Sequence, residues 1–366
     1  MFFYVLLAFV FLIGTAIGSF LNVCVARLPY ERSILWPGSH CFSCFQPVRW
    51  YDNIPLLSYL LLRGRCRTCG ARFSVRYFLV ELFTGLAFLG LLYLEVILNV
   101  HDLDVFKFGE EAWELRMGLI PATGWLLFGY HAVLLSFLIV VSLSDIDTLE
   151  IPLSITVTGM VVGLAGAMLF PWPWPYTPGD TPDAWQRPLP EFLLPGFPRR
   201  IPRCGLYPCP VWDTLPAWMP HGSVLAGLAA GLAGLAAGMV PRAVGFLYKL
   251  GRRREGMGLG DADLMMMVGC FLGWQPTIVA FFVALAPGLV FGVAQLVFRG
   301  GREMPFGPSL ALATVVTWLC WGWFAPRLAS FFFDGPLVVG VCAFLVVGLF
   351  VAFSLLGAVR GRGQPE

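Results

Sequence analysis

The chain has 366 residues, of which 58% are apolar and 13% charged, with a mean hydropathy of +0.77 and a formal net charge of +2. Water-soluble globules rarely reach such a composition, so that class is excluded and a polytopic membrane protein is indicated. So small a net charge supplies no argument for nucleic-acid binding, and none is expected as a partner.

Taken in order, nine apolar segments separate the polar stretches. The start, Met1-Phe2-Phe3-Tyr4, lacks a basic n-region and is followed by no small-residue cleavage site, so the first segment is expected to be a retained helix over about Phe2 to Val25. A polar, basic segment from Arg27 to Arg76 comes next. Helix two is expected over about Tyr77 to Val100, followed by an acidic loop, and helix three from about Thr123 to an end at Asp145. Helix four covers about Ile151 to Phe170, and a proline- and tryptophan-rich insertion follows. Helix five starts near Ser223 and holds Gly227-xxx-Gly231 and Gly234-xxx-Gly238, a spacing that lets two helices approach closely. After Arg252-Arg253-Arg254 comes a glycine-rich turn, Gly256-Met257-Gly258-Leu259-Gly260-Asp261, which opens an apolar run too short for a full span. Helix seven is expected over Thr277 to Phe298, helix eight up to Phe324 and helix nine over Leu337 to Leu356, before a basic tail.

The expected fold is therefore an all-α polytopic membrane protein. It has about eight or nine transmembrane helices and a small cytoplasmic zinc-binding domain between helices one and two. In domains, residues 1–26 are the first transmembrane helix and 27–76 the zinc-binding domain. Residues 77–170 hold helices two to four with Asp145, and 171–222 the extracytoplasmic insertion. Residues 223–359 hold helices five to nine, and 360–366 a cytoplasmic tail. Basic residues set the orientation. With alternating spans, the 27–76 segment, Asp145, Asp261, Arg299 with Arg302, and the tail fall on one side, which should be the cytoplasm.

Cys41-x2-Cys44 and Cys66-x2-Cys69 form a double knuckle whose four thiolates suit tetrahedral Zn²⁺. All four positions are filled, so the ion would be structural. The alternatives are two redox dithiols or free thiols. Cys204 and Cys209 in the insertion form either a disulfide or two unpaired thiols. Cys24, Cys270, Cys320 and Cys342 are expected to be packing residues.

Ionisable groups at membrane depth are costly and tend to serve function. Asp145 and Asp261 stand at apolar-segment ends on one side, which suggests an aspartyl hydrolase set into a membrane; the alternative is two solvated loop acids. Asp147 and Asp263 compete for the same roles. Chemically, one ionised acid would take a proton from water while a protonated one polarises the scissile carbonyl. A proton-coupled transporter is the rival from another class, but its acids lie near the midplane.

Several segments together resemble the type IV prepilin peptidases, GxGD-type membrane aspartyl proteases. They are Gly18-Ser-Phe-Leu-Asn-Val23 with Arg27-Leu-Pro29, the double C-x2-C, and Trp50 to Tyr59 between the knuckles. Arg63-Gly64-Arg65, Arg76-Tyr77, Glu81 to Gly85, Asp145-Ile-Asp147-Thr-Leu-Glu-Ile-Pro152, Gly256 to Asp261 and Pro305 to Pro308 complete the set. The resemblance implies a bacterial inner-membrane, multi-pass enzyme with a cytoplasmic catalytic face. It would cleave the basic leader from type IV prepilins and type II secretion pseudopilins. It would also N-methylate the new terminus from S-adenosylmethionine, because the zinc-bearing loop goes with methylating members. It places the catalytic pair on Asp145 and Asp261, the spacing to Pro152 favouring Asp145 over Asp147. The methyl donor's residues remain unassigned.

Three departures stand out. Asp263 occupies the position where the family pattern has lysine, and is expected either to act on Asp261 beside it or to be offset by Arg252 to Arg254. It is also the one feature favouring a degenerate homologue or a methyltransferase-only scaffold. The other departures are the insertion and a ninth helix.

Overall fold

A computed structural model describes residues 2–101, 120, 122–169, 224–252, 258–299 and 304–324, together with three short strands between 186 and 208 and isolated helical stretches of 327–348. Helix nine, the Cys204–Cys209 pairing and Cys342 fall largely or wholly outside the residues so described. The chain forms two compact units, Met1–Ile155 and Thr156–Glu366.

In the first unit, α1 (Phe2–Arg27) is 26 residues long. At 1.5 Å per residue that is about 39 Å, more than the roughly 30 Å of hydrocarbon in a bilayer. Its outward residues Phe2, Tyr4, Val5, Phe9 and Leu12 are exposed, as suits a face turned to lipid. A short helix, α2 (Leu57–Leu61), lies in the polar segment. Then α3 (Val75–Leu91) starts at Ser74, whose side chain accepts the Arg76 N–H, and continues into a π-helical turn, Leu92–Ile97. The α1–α3 crossing is close because Gly14 and Gly18 leave out side chains there. A Cβ on Gly14 would stand 2.9 Å from the Gly85 Cα, and one on Gly18 2.9 Å from the Glu81 Cα. Asn22 Nδ2 donates to the Tyr77 carbonyl across the same seam at 3.1 Å. The third long helix, α4 (Ala122–Thr148), packs on both.

The second unit holds α5 (Leu153–Leu169), which begins at the boundary, and α6 (Val224–Ala237). It continues with α7 (Val240–Arg252), α8 (Leu259–Leu272), α9 (Trp274–Val283), α10 (Leu285–Arg299) and α11 (Gly307–Leu319). Among the described residues, five helical stretches are long and apolar enough to cross a membrane, and α5 and α11 are shorter apolar helices. The all-α expectation has one exception, a small antiparallel sheet within the insertion, β1 (Gln186–Pro188), β2 (Arg200–Cys204) and β3 (Tyr207–Pro208), in the order β1-β2-β3.

Several expectations are corrected. Helix three does not end at Asp145 but runs on to Thr148. Helix five divides at Gly238-Met239, where Pro241 starts α7: proline lacks the N–H that would continue α6 and fits the first turn of a new helix. Helix seven is two segments, α9 and α10. Cys24 and Cys270 are buried packing residues, but Cys320 is exposed at the C-terminal cap of α11.

The most enclosed element is α8, where Leu264, Met265, Met267, Val268, Cys270, Phe271 and Leu272 are all buried. Helix α6 meets it backbone to backbone. A Cβ on Gly234 would overlap the Gly269 carbonyl oxygen, and one on Gly269 the Gly234 carbonyl oxygen. Gly234→Val is therefore expected to push α6 off α8 and to destabilise the detergent-solubilised protein by about 1–3 kcal/mol or more, read as a lower Tm. The same change at Gly90, where a Cβ meets nothing within 4 Å, should leave Tm nearly unmoved.

Candidate active site and metal centre

The metal centre is built from two matching turns. His40 pairs with Pro47, and Arg65 pairs with Arg72, in isolated antiparallel bridges. Cys41 N–H donates to the Gln46 carbonyl at 3.0 Å, as Cys66 N–H does to that of Ala71 at 2.8 Å. Phe45 N–H returns to the Cys41 carbonyl and Gly70 N–H to that of Cys66, each at 2.9 Å. Phe45 and Gly70 both take the left-handed conformation, at φ 57° and 71°. This turn repeats at a constant sequence offset and aims two sulfurs from each knuckle at one point.

The four Sγ atoms lie within 4.8 Å of one another, with Cys41–Cys69 at 3.7 Å and Cys44–Cys66 at 4.0 Å. Sulfurs 2.3 Å from a tetrahedral zinc stand about 3.8 Å apart, so the cluster could hold that ion with little adjustment. Backbone N–H groups of Cys69 and Thr68 hold the Cys66 thiol down to about 6, and those of Cys44 and Ser43 lower Cys41. Two of the four ligands are thus inclined toward thiolate before any metal arrives.

The module is fastened at both ends. Arg27, closing α1, donates to the carbonyls of Ser33 at 3.0 Å and Pro37 at 2.7 Å. The buried Glu81 of α3 accepts the Leu56 N–H at 2.8 Å. On its surface Arg67 grips Asp52 through Nε and Nη2, which keeps the Asp52 carboxyl below its usual range.

Asp145 and Asp147 occupy the last turn of α4. Leu149 then takes a left-handed φ of 58°, and its N–H closes on the Asp145 carbonyl at 2.9 Å. Pro152 follows and gives the stop, while its carbonyl accepts the Ile155 N–H at the start of α5. The two acids differ in environment. Asp145 is 5% exposed, beside the buried Ser144. Asp147 is exposed and held by Arg76 of α3, with Nη1 2.5 Å from Oδ2. Asp261 stands in the first turn of α8, the third residue after the cap at Gly258. Its Oδ2 lies 3.6 Å from where a Cβ on Gly258 would stand, so the carboxylate folds back over the bare glycine backbone. Gly256 and Met257 lie outside the described residues. Asp145 belongs to the first compact unit and Asp261 to the second.

Asp263 is buried on α8 and accepts a hydrogen bond from Arg242 Nη2 of α7. The side chains of Arg252 to Arg254 lie outside the described residues; the partner seen for Asp263 is Arg242, which no local sequence signal singled out. The Pro305-Phe306-Gly307-Pro308 segment opens α11, with Phe306 seated where a Cβ on Gly288 would stand 2.7 Å from its ring.

One ionisable cluster went unread in the sequence. Glu95 in the π-helical turn lies 2.7 Å from His131 Nδ1 of α4 and 3.4 Å from His101 Nε2, and all three are buried. From His131 to Asp145 the helix advances about 21 Å, so this cluster sits toward the opposite end of α4. His131 is 30 or more residues from Glu95 and His101, and the offset of six between those two matches no recognised spacing.

Comparison with known proteins follows the same residues. The family model for the bacterial peptidase A24 N-terminal domain matches residues 12–95, and that for the type IV leader peptidase family matches residues 210–293. The first range holds the α1–α3 seam and the four cysteines; the second holds Asp261, and Asp145 lies between them. A prepilin leader peptidase/N-methyltransferase of Myxococcus xanthus (strain DK1622) is 32% identical over 292 residues, 80% of this chain and 64% of that relative. Over these two ranges the chain is similar to the type IV leader peptidase family. Relatives with the same printed name in Aeromonas salmonicida (strain A449) and Neisseria gonorrhoeae are each 28% identical. Those matches take in 86% and 84% of this chain, and 90% and 87% of the relatives. The match to the Myxococcus protein spans slightly under two thirds of that relative's length. No solved structure matches this chain.

Three outcomes are expected from this geometry. Cys66→Ser should abolish tight zinc retention, taking metal content from about one ion per chain to near none by elemental analysis. In the wild type, protons compete with the ion for thiolate, so zinc should be held at neutral pH and released as the pH falls into the acid range, not as it rises. At the other cluster, His131→Leu leaves the buried Glu95 carboxylate only the longer contact to His101 and should cost up to about 3–5 kcal/mol, seen as a lower Tm with zinc content unchanged.

Proposed function

We propose that this chain is a membrane-embedded aspartyl endopeptidase that removes the basic leader of type IV prepilins and of type II secretion pseudopilins. Asp145 and Asp261 are the catalytic pair, working at the cytoplasmic face of a bacterial inner membrane. The observation that carries the assignment is the contrast within the acidic motif. Asp147 is exposed and committed to Arg76, whereas Asp145 is buried in the last turn of an apolar helix. Asp261, at the glycine-lined start of α8, is the matching acid of the leader-peptidase range.

In the reaction, the ionised carboxylate takes a proton from water as the water oxygen bonds to the scissile carbonyl carbon. The protonated carboxyl donates a hydrogen bond to the carbonyl oxygen. The C–N bond then breaks, and a proton passes to the departing amine, which becomes the N-terminus of the mature pilin. Bare backbone at Gly258 and Gly260 gives an extended substrate room to lie against the α8 start.

The relatives' printed name and the metal module together support a second activity, transfer of the S-adenosylmethionine methyl group to that new amine. Methyl leaves sulfur as it bonds nitrogen, and the amine gives up a proton. This activity is assigned to no residue here. The four cysteines would hold a structural zinc that folds the module and adds no step to either reaction. The degenerate reading drew its support from an unbalanced Asp263, and the Arg242 partner balances that charge.

The test is cleavage of a pilin-like precursor by membranes carrying the protein, with labelled S-adenosylmethionine in the same tubes. Wild type should release the leader and label the mature product. Asp145→Asn and Asp261→Asn should each lower cleavage by about 10²–10⁴-fold while still labelling a pre-cut substrate. Asp147→Asn, which removes an exposed ion pair, should stay within about tenfold of wild type. Equal losses at Asp145 and Asp147 would sink the assignment.

A further inference from the structure

We propose that Arg242 and Asp263 form a positioning pair that sets the direction in which Asp261 leaves α8, an inference that rests on Asp261 being catalytic. Positions 261 and 263 are two residues apart, about 200° around an α-helix, so their side chains leave nearly opposite faces. Asp263 points inward and is gripped by Arg242, while Asp261 is half-buried and folds back over Gly258. A tether on one face of a helical turn fixes the azimuth of the side chain on the other.

The pair is also the last rung of a regular seam. Running from α6 into α7, Gly234 lies on Gly269, Gly238 lies on the Met265–Met266 backbone, and Arg242 meets Asp263. The contacts recur about once per turn along the first strand of the seam and descend antiparallel along α8 toward its start. The first two are backbone contacts that only glycine permits. At the third, the chain has passed the break at Gly238-Met239 and the buried Pro241, and a long guanidinium side chain makes the connection instead. It comes one turn from the Gly238 contact, so its base is held as firmly as the helices themselves.

Charge gives the pair its exclusivity. A buried carboxylate without a partner is strongly disfavoured, so α7 cannot rotate or slide without carrying the first turn of α8 with it. Where the family pattern places a lysine at position 263, this chain carries the anion on α8 and the cation on α7. The arrangement is therefore expected to be reversible in sign but not removable.

The experiment breaks and then inverts the pair in the full-length protein in membranes. Arg242→Gln and Asp263→Asn should each lower kcat for precursor cleavage by about 10- to 100-fold, with KM changed less than about threefold, because a misdirected acid harms the chemical step more than binding. The inverted double variant, Arg242→Asp with Asp263→Arg, should return kcat to within about fivefold of wild type. Single variants with wild-type kcat, or an inverted pair no better than the singles, overturn the proposal. A second arm needs no catalysis. In an Asp261→Cys background, the rate at which a water-soluble maleimide modifies the introduced thiol, mapped by mass spectrometry, should shift about fivefold or more on adding Arg242→Gln and return with the inverted pair. A rate indifferent to the pair overturns the positioning role even if the wild type cleaves no precursor, an outcome that by itself would count only against the peptidase reading.

Discussion

Helix α8 has almost no free face, and the second unit depends on that enclosure. Its residues from Ala262 to Leu272 are nearly all buried, and α6, α7, α9 and α11 pack around it. A helix wrapped on every side cannot be amphipathic in the usual sense, so its register comes from shape and not from polarity. Gly234 and Gly269 supply the shape: two bare backbones interlock, which fixes α8 along its axis. The acid that opens the helix is placed by a body that cannot easily move.

The first unit solves a related problem by different means. There the membrane helices are steadied by polar groups aimed at specific backbone atoms. Asn22 reaches the Tyr77 carbonyl, Glu81 holds the Leu56 N–H, and Arg27 spans the carbonyls of Ser33 and Pro37. Of these backbone groups, the Leu56 N–H stands at the start of α2, where N–H groups are unfilled by the helix itself. The buried Glu81 joins a membrane helix to the polar module and so makes the module's placement a property of α3.

How much of this could be read beforehand followed the range of the interactions. The gathering of the four cysteines was visible, because two knuckles of fixed spacing carry their own geometry. The end of α4 was misplaced by one turn. Polar Asp145 and Asp147 suggested a stop, yet the stop belongs to Leu149 in its left-handed conformation with Pro152 behind it. The break between α6 and α7 had its signal in Pro241, read too lightly inside an apolar stretch. The partners Arg242–Asp263 and Glu95–His131 had no local signal, since each joins residues that only packing brings together. The contrast between Asp145 and Asp147 was of the same kind: spacing ranked them, but the salt bridge to Arg76 separates their environments.

The paired knuckles carry a last consequence. The module has few apolar residues of its own to bury, and Leu35, Trp36, Phe42, Phe45 and Trp50 all face outward. A metal ion held by the four cysteines would supply the tertiary structure that so little apolar burial does not. A chain synthesised under metal starvation would insert its helices normally yet carry an unstructured strap between α1 and α3, tied at Arg27 and slack at Glu81. With zinc held there, assembly of this protein would be coupled to the metal supply of the cell.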